Sequence, residues 1–458
     1  MRKVIPPCPP IPERRSTGHE TRFYQIQLAT PLFGGGVTAG EPDATFPIRG
    51  TSIRGQLQFW WRATRGAIYA TSEDLFNRHR LIWGTTDQAS LVEIALTSVK
   101  SSSPRMSAQF ERDSRARRGE GGSRLEWERP FRGTALPYAL FPFQGQPSTN
   151  PEIPHEKLPA NFIEDCHFTL RVQFPAELSA DVETAVWAWV NFGGMGSRTR
   201  RGCGSLWGRE VDANGVVVKE LAPSSASADD LKTWFQQGCT GGSNPLRDWP
   251  TLPTAVLCTR DTKVPIDAWN QAIELLQRFR QGINLGRNPG QQPNRPGRSR
   301  WPEPETIRTV LHDPRRGWKH GRLDHIPNDA FPRAEFGLPI GFHFQGNGDP
   351  PETVLYPAAQ ADGSKRERMA SPLILKPLAL SNGKAISMIV RLQNQPLNGI
   401  DLRRGKTSPP LPLDIAIRGP QLATYRNSPL SLARSGSALE AFLALAQNSE
   451  NGFQEVIR

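Results

Sequence analysis

The sharpest alternation of apolar and polar positions is TRFYQIQLATPLF, residues 21–33. Phe23, Gln25 and Gln27 fall on one side and Tyr24, Ile26 and Leu28 on the other, a period of two that predicts a strand. GGG at 34–36 breaks the pattern, and a polar loop leads to PIRGTS. From Ser52, a residue suited to cap a helix, the period becomes helical. Ile53, Leu57, Trp60 and Trp61 form an apolar stripe, and Arg54, Gln58, Arg62 and Arg65 a basic stripe beside it. Strands are expected at 91–99, at LPYALFPF (136–143) and at CHFTLRVQF (166–174). AELSADVETAVWAWVNF (176–192) predicts a second helix, followed by short strands SLWGREV and GVVVKEL.

The same succession returns in the second half. A strand is expected at 254–260, a helix at PIDAWNQAIELLQRFRQGI with Trp269, Ile273, Leu276 and Phe279 on one face, and strands at FGLPIGFHF, PLILKPLAL and AISMIVRLQ. LSLARSGSALEAFLALAQ (430–447) is expected to close the chain as a helix. Two rounds of strand, helix, strand, strand, helix, strand predict an α+β fold: two tandem ferredoxin-like (RRM-like) domains with long loop insertions. The expected division is a disordered leader over 1–20, a first domain over 21–222 with a charged, mobile insertion at 101–135, a linker over 223–252, and a second domain over 253–458 carrying a basic loop at 286–322.

Charge adds a partner class to this frame. Among 458 residues, 56 Lys and Arg against 44 Asp and Glu leave a net charge of +12, which favours a polyanionic partner. Five cysteines without a C-x-x-C pair argue for a reducing compartment and against a zinc site or disulfide framework. The start of the chain lacks the apolar core of a signal peptide, and no apolar run approaches the ~20 residues of a membrane helix. A cytoplasmic protein without a membrane partner is expected.

The candidate chemistry centres on GGMGSRTRRGCGSL, residues 193–206. A dinucleotide fingerprint needs G-x-G-x-x-G after a strand and before a helix; here the order is reversed and position 199 is Thr. The P-loop pattern is absent too, so no nucleotide cofactor is expected. Gly193 and Gly194 suit a helix cap, but Gly196, Gly202 and Gly204 around Arg198, Arg200 and Arg201 suit contact with a phosphodiester backbone. The 286–322 loop interleaves Arg287, Arg295, Arg298, Arg300, Arg315 and Arg316 with Trp301 and Trp318, a mixture suited to single-stranded RNA. Trp60 and Trp269 are expected in the core and Trp301, between Arg300 and Pro302, outside it. The expected RNA-binding set is Arg49, Ser52, Arg54, Arg62, Arg65, Gly194, Gly196, Ser197, Arg198, Arg200, Arg201, Gly202, Gly204, Arg298, Arg300 and Trp301.

The spacing G-x-G-x-x-x-x-x-G-x-G over 194–204, following a helix, resembles the glycine-rich loop of the RAMP proteins of CRISPR systems. TPLFGGG, PIRGTSIRGQLQFWWRA, IWG, GRSRWPEPETIR, FPRAEFGLPIGFHF and RMASPLILKPL, spread over roughly 21–377, narrow the resemblance to the RAMP subunits of the type III-B (Cmr) effector complex. The resemblance implies a non-catalytic, cofactor-free subunit with CRISPR guide RNA, target RNA and other Cmr-complex RAMP subunits as partners. It would lie at the guide-RNA 3′ end and help capture target RNA in antiviral defence. The rival reading is a RAMP-family endoribonuclease. Its general base would come from the eight histidines, of which only His312, His320 and His325 cluster, while Glu41, Asp43 and Asp74 show no paired metal-binding spacing.

Overall fold

The computed structural model of the chain describes residues 18–112, 123–148, 155–238, 247–292, 294–312, 317–320, 330–344, 348–359, 367–397, 399–404, 410–411 and 427–457. The expected leader therefore lies outside the described residues except at its end, where His19 and Glu20 already belong to β1 (His19–Leu28). The alternation read there is the observed one, with Tyr24, Ile26 and Leu28 buried.

Five antiparallel strands make the first sheet: β1, β2 (Glu93–Ser101), β3 (Cys166–Pro175), β4 (Leu206–Val211) and β5 (Val217–Glu220), in the order β5-β4-β1-β3-β2. Helices α1 (Gly50–Ala63) and α3 (Ser179–Phe192) cover its apolar face, with Ile53, Leu57, Trp61, Val182 and Trp189 in one buried cluster with Tyr24 and Ile26. Between them α2 (Ser72–Trp83) is capped by Thr71, whose hydroxyl accepts from the Asp74 amide at 3.1 Å. α1 starts at Gly50, two residues before the expected cap, so Ser52 sits exposed inside its first turn.

The second sheet has the order β7-β8-β6-β9, from β6 (Thr251–Cys258), β7 (Leu373–Ala379), β8 (Ala385–Gln393) and β9 (Gln454–Ile457). Counting each four-strand set along the chain, both sheets are arranged fourth, first, third, second. The chain does not close on a helix as expected: α7 (Ala438–Gln447) is followed by β9, whose edge position allows a pattern too short to read from sequence.

Both faces of the second sheet are buried. Leu373, Leu375 and Ile389 pack with Trp269, Ile273 and Phe279 of α5 (Pro265–Gln281), whereas Ile374, Leu378, Met388 and Val390 join the core of the first sheet. The described residues of the expected linker contribute Leu231, Phe235, Trp249 and Leu252 to this joint core. Within it, α4 (Ala228–Gly238) buries Phe235 completely, stacked 5.4 Å from Phe192.

Three further expectations are corrected. LPYALFPF is a short helix, Leu136–Leu140, running into a helical turn at Phe141–Phe143, because Pro137 starts it and Leu136, Leu140 and Phe143 share the buried side. The described part of the 101–135 insertion is an ordered hairpin, Ala108–Arg112 with Ser123–Trp127, and Phe131 beyond it is buried among Phe33 and Phe162; residues 113–122 lie outside the described residues. FGLPIGFHF does not enter the second sheet. Its strand Ile340–Phe342 belongs to a separate small sheet with Thr353–Pro357, Ile400–Arg403 and Pro410–Leu411, closed over Ile307, Leu338 and Leu355. Among the described residues no helix is long and apolar enough to cross a membrane.

Candidate nucleic-acid interface

The glycine loop follows α3 and is held from three directions. Gly193 ends the helix, its amide donating to Trp189 O at 2.9 Å, and the Trp189 indole donates to Gly194 O at 3.2 Å. The loop then lies against the end of β1: Ser197 N donates to Phe33 O at 2.6 Å, Gly204 N to Pro31 O at 2.8 Å, and Thr30 Oγ1 to Gly202 O at 2.6 Å. Close approach dictates the glycines. Gly196 has φ +76°, and a Cβ there would stand 2.3 Å from Phe33 O; Gly202 has φ +88°, and its Cβ would meet Trp269 Nε1 at 2.3 Å. Gly194 and Gly204 are buried with their backbones in contact. Four of these glycines thus serve packing, while Gly196 and Ser197 also reach the surface beside exposed Gly35.

The third direction is the second sheet, and it takes up two of the expected RNA-binding arginines. Arg200 donates to the carbonyl of Ser371, Arg201 donates to Leu373 O at 2.8 Å, and the Trp269 indole donates back to Arg201 O at 2.5 Å. Lys376, completely buried in β7, donates to Gly193 O at 2.8 Å and Val190 O at 3.2 Å, the free carbonyls at the end of α3. Burial pulls this lysine down to about 7. Arg201 falls to about 9 through burial and the neighbouring Arg198 and Arg280, and stays charged at neutral pH. The loop is therefore first a seam between the two sheets.

Its outer side forms one wall of a cleft of ≈ 710 Å³. Arg198, Arg200, Arg201 and Arg280 line it, together with Tyr138 of the short helix Leu136–Leu140, Phe141 of the turn that follows it, and an apolar floor from α5 and the Phe336–Ile340 segment. Among the described residues no carboxylate lines the cleft, and the carbonyl partners of Arg200 and Arg201 are neutral. Arg198 has the left-handed backbone of φ +56°, its Nε is buried without a hydrogen-bond partner, and its guanidinium lies 5.4 Å from the Phe141 ring centroid. Arg280, Tyr138 and Phe141 escaped the sequence reading. The available signal was Arg280 continuing the Ile273–Leu276 stripe into the last turn of α5, an arginine at the edge of an apolar face.

The basic stripe on α1 is a scaffold. Arg54 donates to Ser90 Oγ at 2.8 Å and Val92 O at 3.0 Å, fixing the start of β2. Arg62 lies 3.4 Å from His79 Nε2, and burial together with this guanidinium holds His79 down at about 4. Arg65, in a stripe with no acidic residue of its own, finds a partner on α3: Asp181, at 3.8 Å, which also accepts from the Trp61 indole at 2.7 Å and from Arg78 at 3.2 Å. Sequence periodicity could not show a carboxylate that arrives from another helix. At the start of α1, Arg49 is exposed and anchored to the Gly35 carbonyl, and the first turn carries no acidic residue and no side-chain cap.

The 286–322 loop also differs from expectation. Trp301 is completely buried against Phe279 at 5.2 Å and donates to Arg280 O at 3.1 Å, so no ring face is open to a base. Arg298 and Arg308 both bind Glu305 Oε1 at 2.8 Å, and Arg300 binds Asn288 Oδ1 at 2.7 Å, side chains that brace α6 (Glu303–Val310) and the hairpin before it. Arg315, Arg316 and His325 lie outside the described residues.

Three of the residues considered for catalysis have structural partners. His320 Nδ1 lies 2.7 Å from Asp349, Glu41 receives the Asn161 backbone and side-chain amides at 3.0 Å, and Asp43 accepts from the amides of Thr45 and Phe46 at 2.9 Å. Among the described residues no group of three or more His, Cys, Asp or Glu is placed to hold a metal ion.

Residues 25–207 match the model of the RAMP superfamily, a stretch that runs from β1 through the glycine loop into β4. No curated protein matches the chain. Solved structures similar to this chain include Cmr1 from Pyrococcus furiosus in its apo form, 16% identical, covering 85% of this chain and 94% of that one with a TM-score of 0.45. The type III-B Cmr-beta complex bound to cognate target RNA contains a chain 11% identical, with 81% and 94% covered and a TM-score of 0.43. The same kind of complex with target RNA and AMPPnP, in the presence of single-stranded DNA, gives 10% identity, 82% and 94% coverage and a TM-score of 0.40.

Proposed function

We propose that this chain, whose residues 25–207 match the RAMP superfamily, is a non-catalytic RNA-binding subunit of a type III-B CRISPR effector complex. It contacts guide RNA at its 3′ end, helps capture target RNA and works beside other RAMP subunits in the cytoplasm. The two sheets with their shared strand order, each carrying two helices, support reading the chain as tandem ferredoxin-like units.

One observation carries the reading: four arginines, and no carboxylate among the described residues, line a cleft on the outer wall of the glycine loop, which lies inside the matched segment. A cleft of one sign concentrates polyanions, and guanidinium groups suit phosphate oxygens. Arg49 and the exposed first turn of α1, with Gly196 and Ser197 nearby on the Gly35 side of the loop, supply a second backbone-contacting surface. Arg54, Arg62, Arg65, Arg298, Arg300 and Trp301 are left out of this revised set because their side chains brace the fold.

The test is the salt dependence of affinity for single-stranded RNA. Arg198→Ala should lower the slope of log affinity against log salt by about 1. A slope unchanged in Arg198→Ala and in Arg280→Ala removes the cleft from the interface. Incubation with guide and target RNA, with and without divalent metal, should leave both strands intact. Reproducible cutting abolished by His320→Ala would favour the endoribonuclease instead.

A further inference from the structure

Phe141 is 59% exposed at the end of a segment whose other large apolar side chains, Leu136, Leu140 and Phe143, are buried. Its neighbours explain neither the residue type nor its exposure, since a polar side chain would serve the outer side of this helical turn at no cost in packing. Phe46 and Phe76 are comparably exposed, at 64% and 55%, but neither lines the cleft or has an arginine over its ring among the described residues. Phe141 has both: it stands in the cleft wall, and the Arg198 guanidinium lies 5.4 Å from its centroid.

Arg198 is itself incompletely used. Among the described residues its Nε is buried without a hydrogen-bond partner, no carboxylate lines the cleft to oppose its charge, and it repels the adjacent Arg201. A phosphate in the cleft would meet the guanidinium charge that no lining carboxylate among the described residues opposes. An arginine beside an exposed aromatic ring forms a mixed surface: the ring offers stacking to any base, and the guanidinium holds the attached phosphate. The remaining floor, Ile273, Leu276, Phe336 and Leu338, is apolar, and the cleft volume of ≈ 710 Å³ falls within the ~300–1,000 Å³ typical of sites that enclose a small molecule.

We infer that Phe141 is a base-stacking platform, and that the cleft encloses a single nucleotide of single-stranded RNA with its base on Phe141 and its phosphate between Arg198 and Arg280. The inference rests on the RNA-binding reading above and adds to it a discrete, sequence-tolerant stacking position. That position is supplied by the segment between β2 and β3 and not by either sheet.

The experiment uses the full chain and a set of short single-stranded oligoribonucleotides, each with 2-aminopurine at a different position. Wild type should quench the fluorophore strongly at one position. Phe141→Ala should lose that quench and bind about five- to one-hundred-fold more weakly, with the salt slope unchanged because no phosphate contact is removed. Phe141→Tyr should keep the quench. Phe141→Leu, which preserves apolar bulk without a π-face, should lose it and guards against a fold defect in the alanine variant. Wild-type quench and affinity in both Phe141→Ala and Phe141→Leu would overturn the stacking site while leaving RNA binding intact. Failure of the wild type to bind RNA at low salt would overturn the stacking site together with the RNA-binding reading.

Discussion

Lys376 allows a quantitative test of how the two sheets are joined. Its ammonium is completely buried, its two hydrogen bonds go to carbonyls at the end of α3, and burial lowers it from 10.5 to about 7. Below pH 7 both folded and unfolded chains hold the proton. Between about 7 and 10.5 the unfolded chain holds a proton that the folded chain has released, so stability rises with pH. The slope is at most about 1.4 kcal/mol per pH unit, and the full span gives an upper bound of about 5 kcal/mol. Lys376→Met removes the titration; it also leaves the Gly193 and Val190 carbonyls without their donor, at about 1–3 kcal/mol each, partly offset by the charge no longer buried. The absolute stability of the variant is therefore a poor test, and the pH dependence of the difference is a good one. In denaturant unfolding from pH 7 to 8.5, Arg201, at about 9, begins to titrate toward the top of the window, but it does so in wild type and variant alike and drops out of the difference. Over that window wild type should gain up to about 2 kcal/mol relative to Lys376→Met. A wild-type-minus-variant difference that does not change with pH would refute the claim that burial at the seam governs this lysine.

Four further outcomes are expected. Gly202→Ala forces a Cβ to within 2.3 Å of the Trp269 indole at φ +88°, and should lower the thermal midpoint strongly while Gly50→Ala, where a Cβ meets nothing within 4 Å, should not. Trp301→Ala should cost about 3–5 kcal/mol in denaturant unfolding, and at low temperature should leave the RNA salt slope in place, since the indole is core and not interface. Asp181→Ala should destabilise by about 1–3 kcal/mol because the buried Trp61 indole loses its acceptor, and the effect should shrink in a Trp61→Phe background in a double-mutant cycle. His79, held near 4, should stay neutral in the folded chain at pH 6, as its imidazole carbon shifts in NMR would show. The unfolded chain takes up the proton at a higher pH, so stability should fall as pH drops from 6.5 toward 4, and less so in His79→Gln.

Local pattern was sufficient wherever one side of an element faces a single environment. The two-residue alternation of β1 and the stripe Ile53, Leu57, Trp60, Trp61 on α1 each encode one buried face, and both are observed. The close-packed glycines of 193–206 were equally legible as a place where backbones approach, because a positive φ or an excluded Cβ leaves few other residues possible. What they approach was not legible. Phosphate and a neighbouring carbonyl make the same demand on a glycine, and Arg200 and Arg201 donate as well to Ser371 and Leu373 as they would to a nucleotide. The same limit applies to Arg65, whose carboxylate comes from Asp181, and to Trp301, exposed by its polar neighbours in the chain yet buried by Phe279.

By itself, then, the sequence determined most of the strands and helices of the two sheets, the net positive charge and the tight backbone at the glycine loop, all properties of contiguous residues. The tertiary structure decided which charges are spent on holding the two sheets together and which remain free to meet RNA. The strand LILKPLA shows why. Its apolar run, interrupted only by Lys376 itself, marks burial on both faces, but only the assembled fold places the first unit against Ile374 and Leu378 and sets the C-terminal end of α3 over Lys376. Partners distant in sequence carry no periodic signal, and it is they that separate a structural arginine from one available to a ligand.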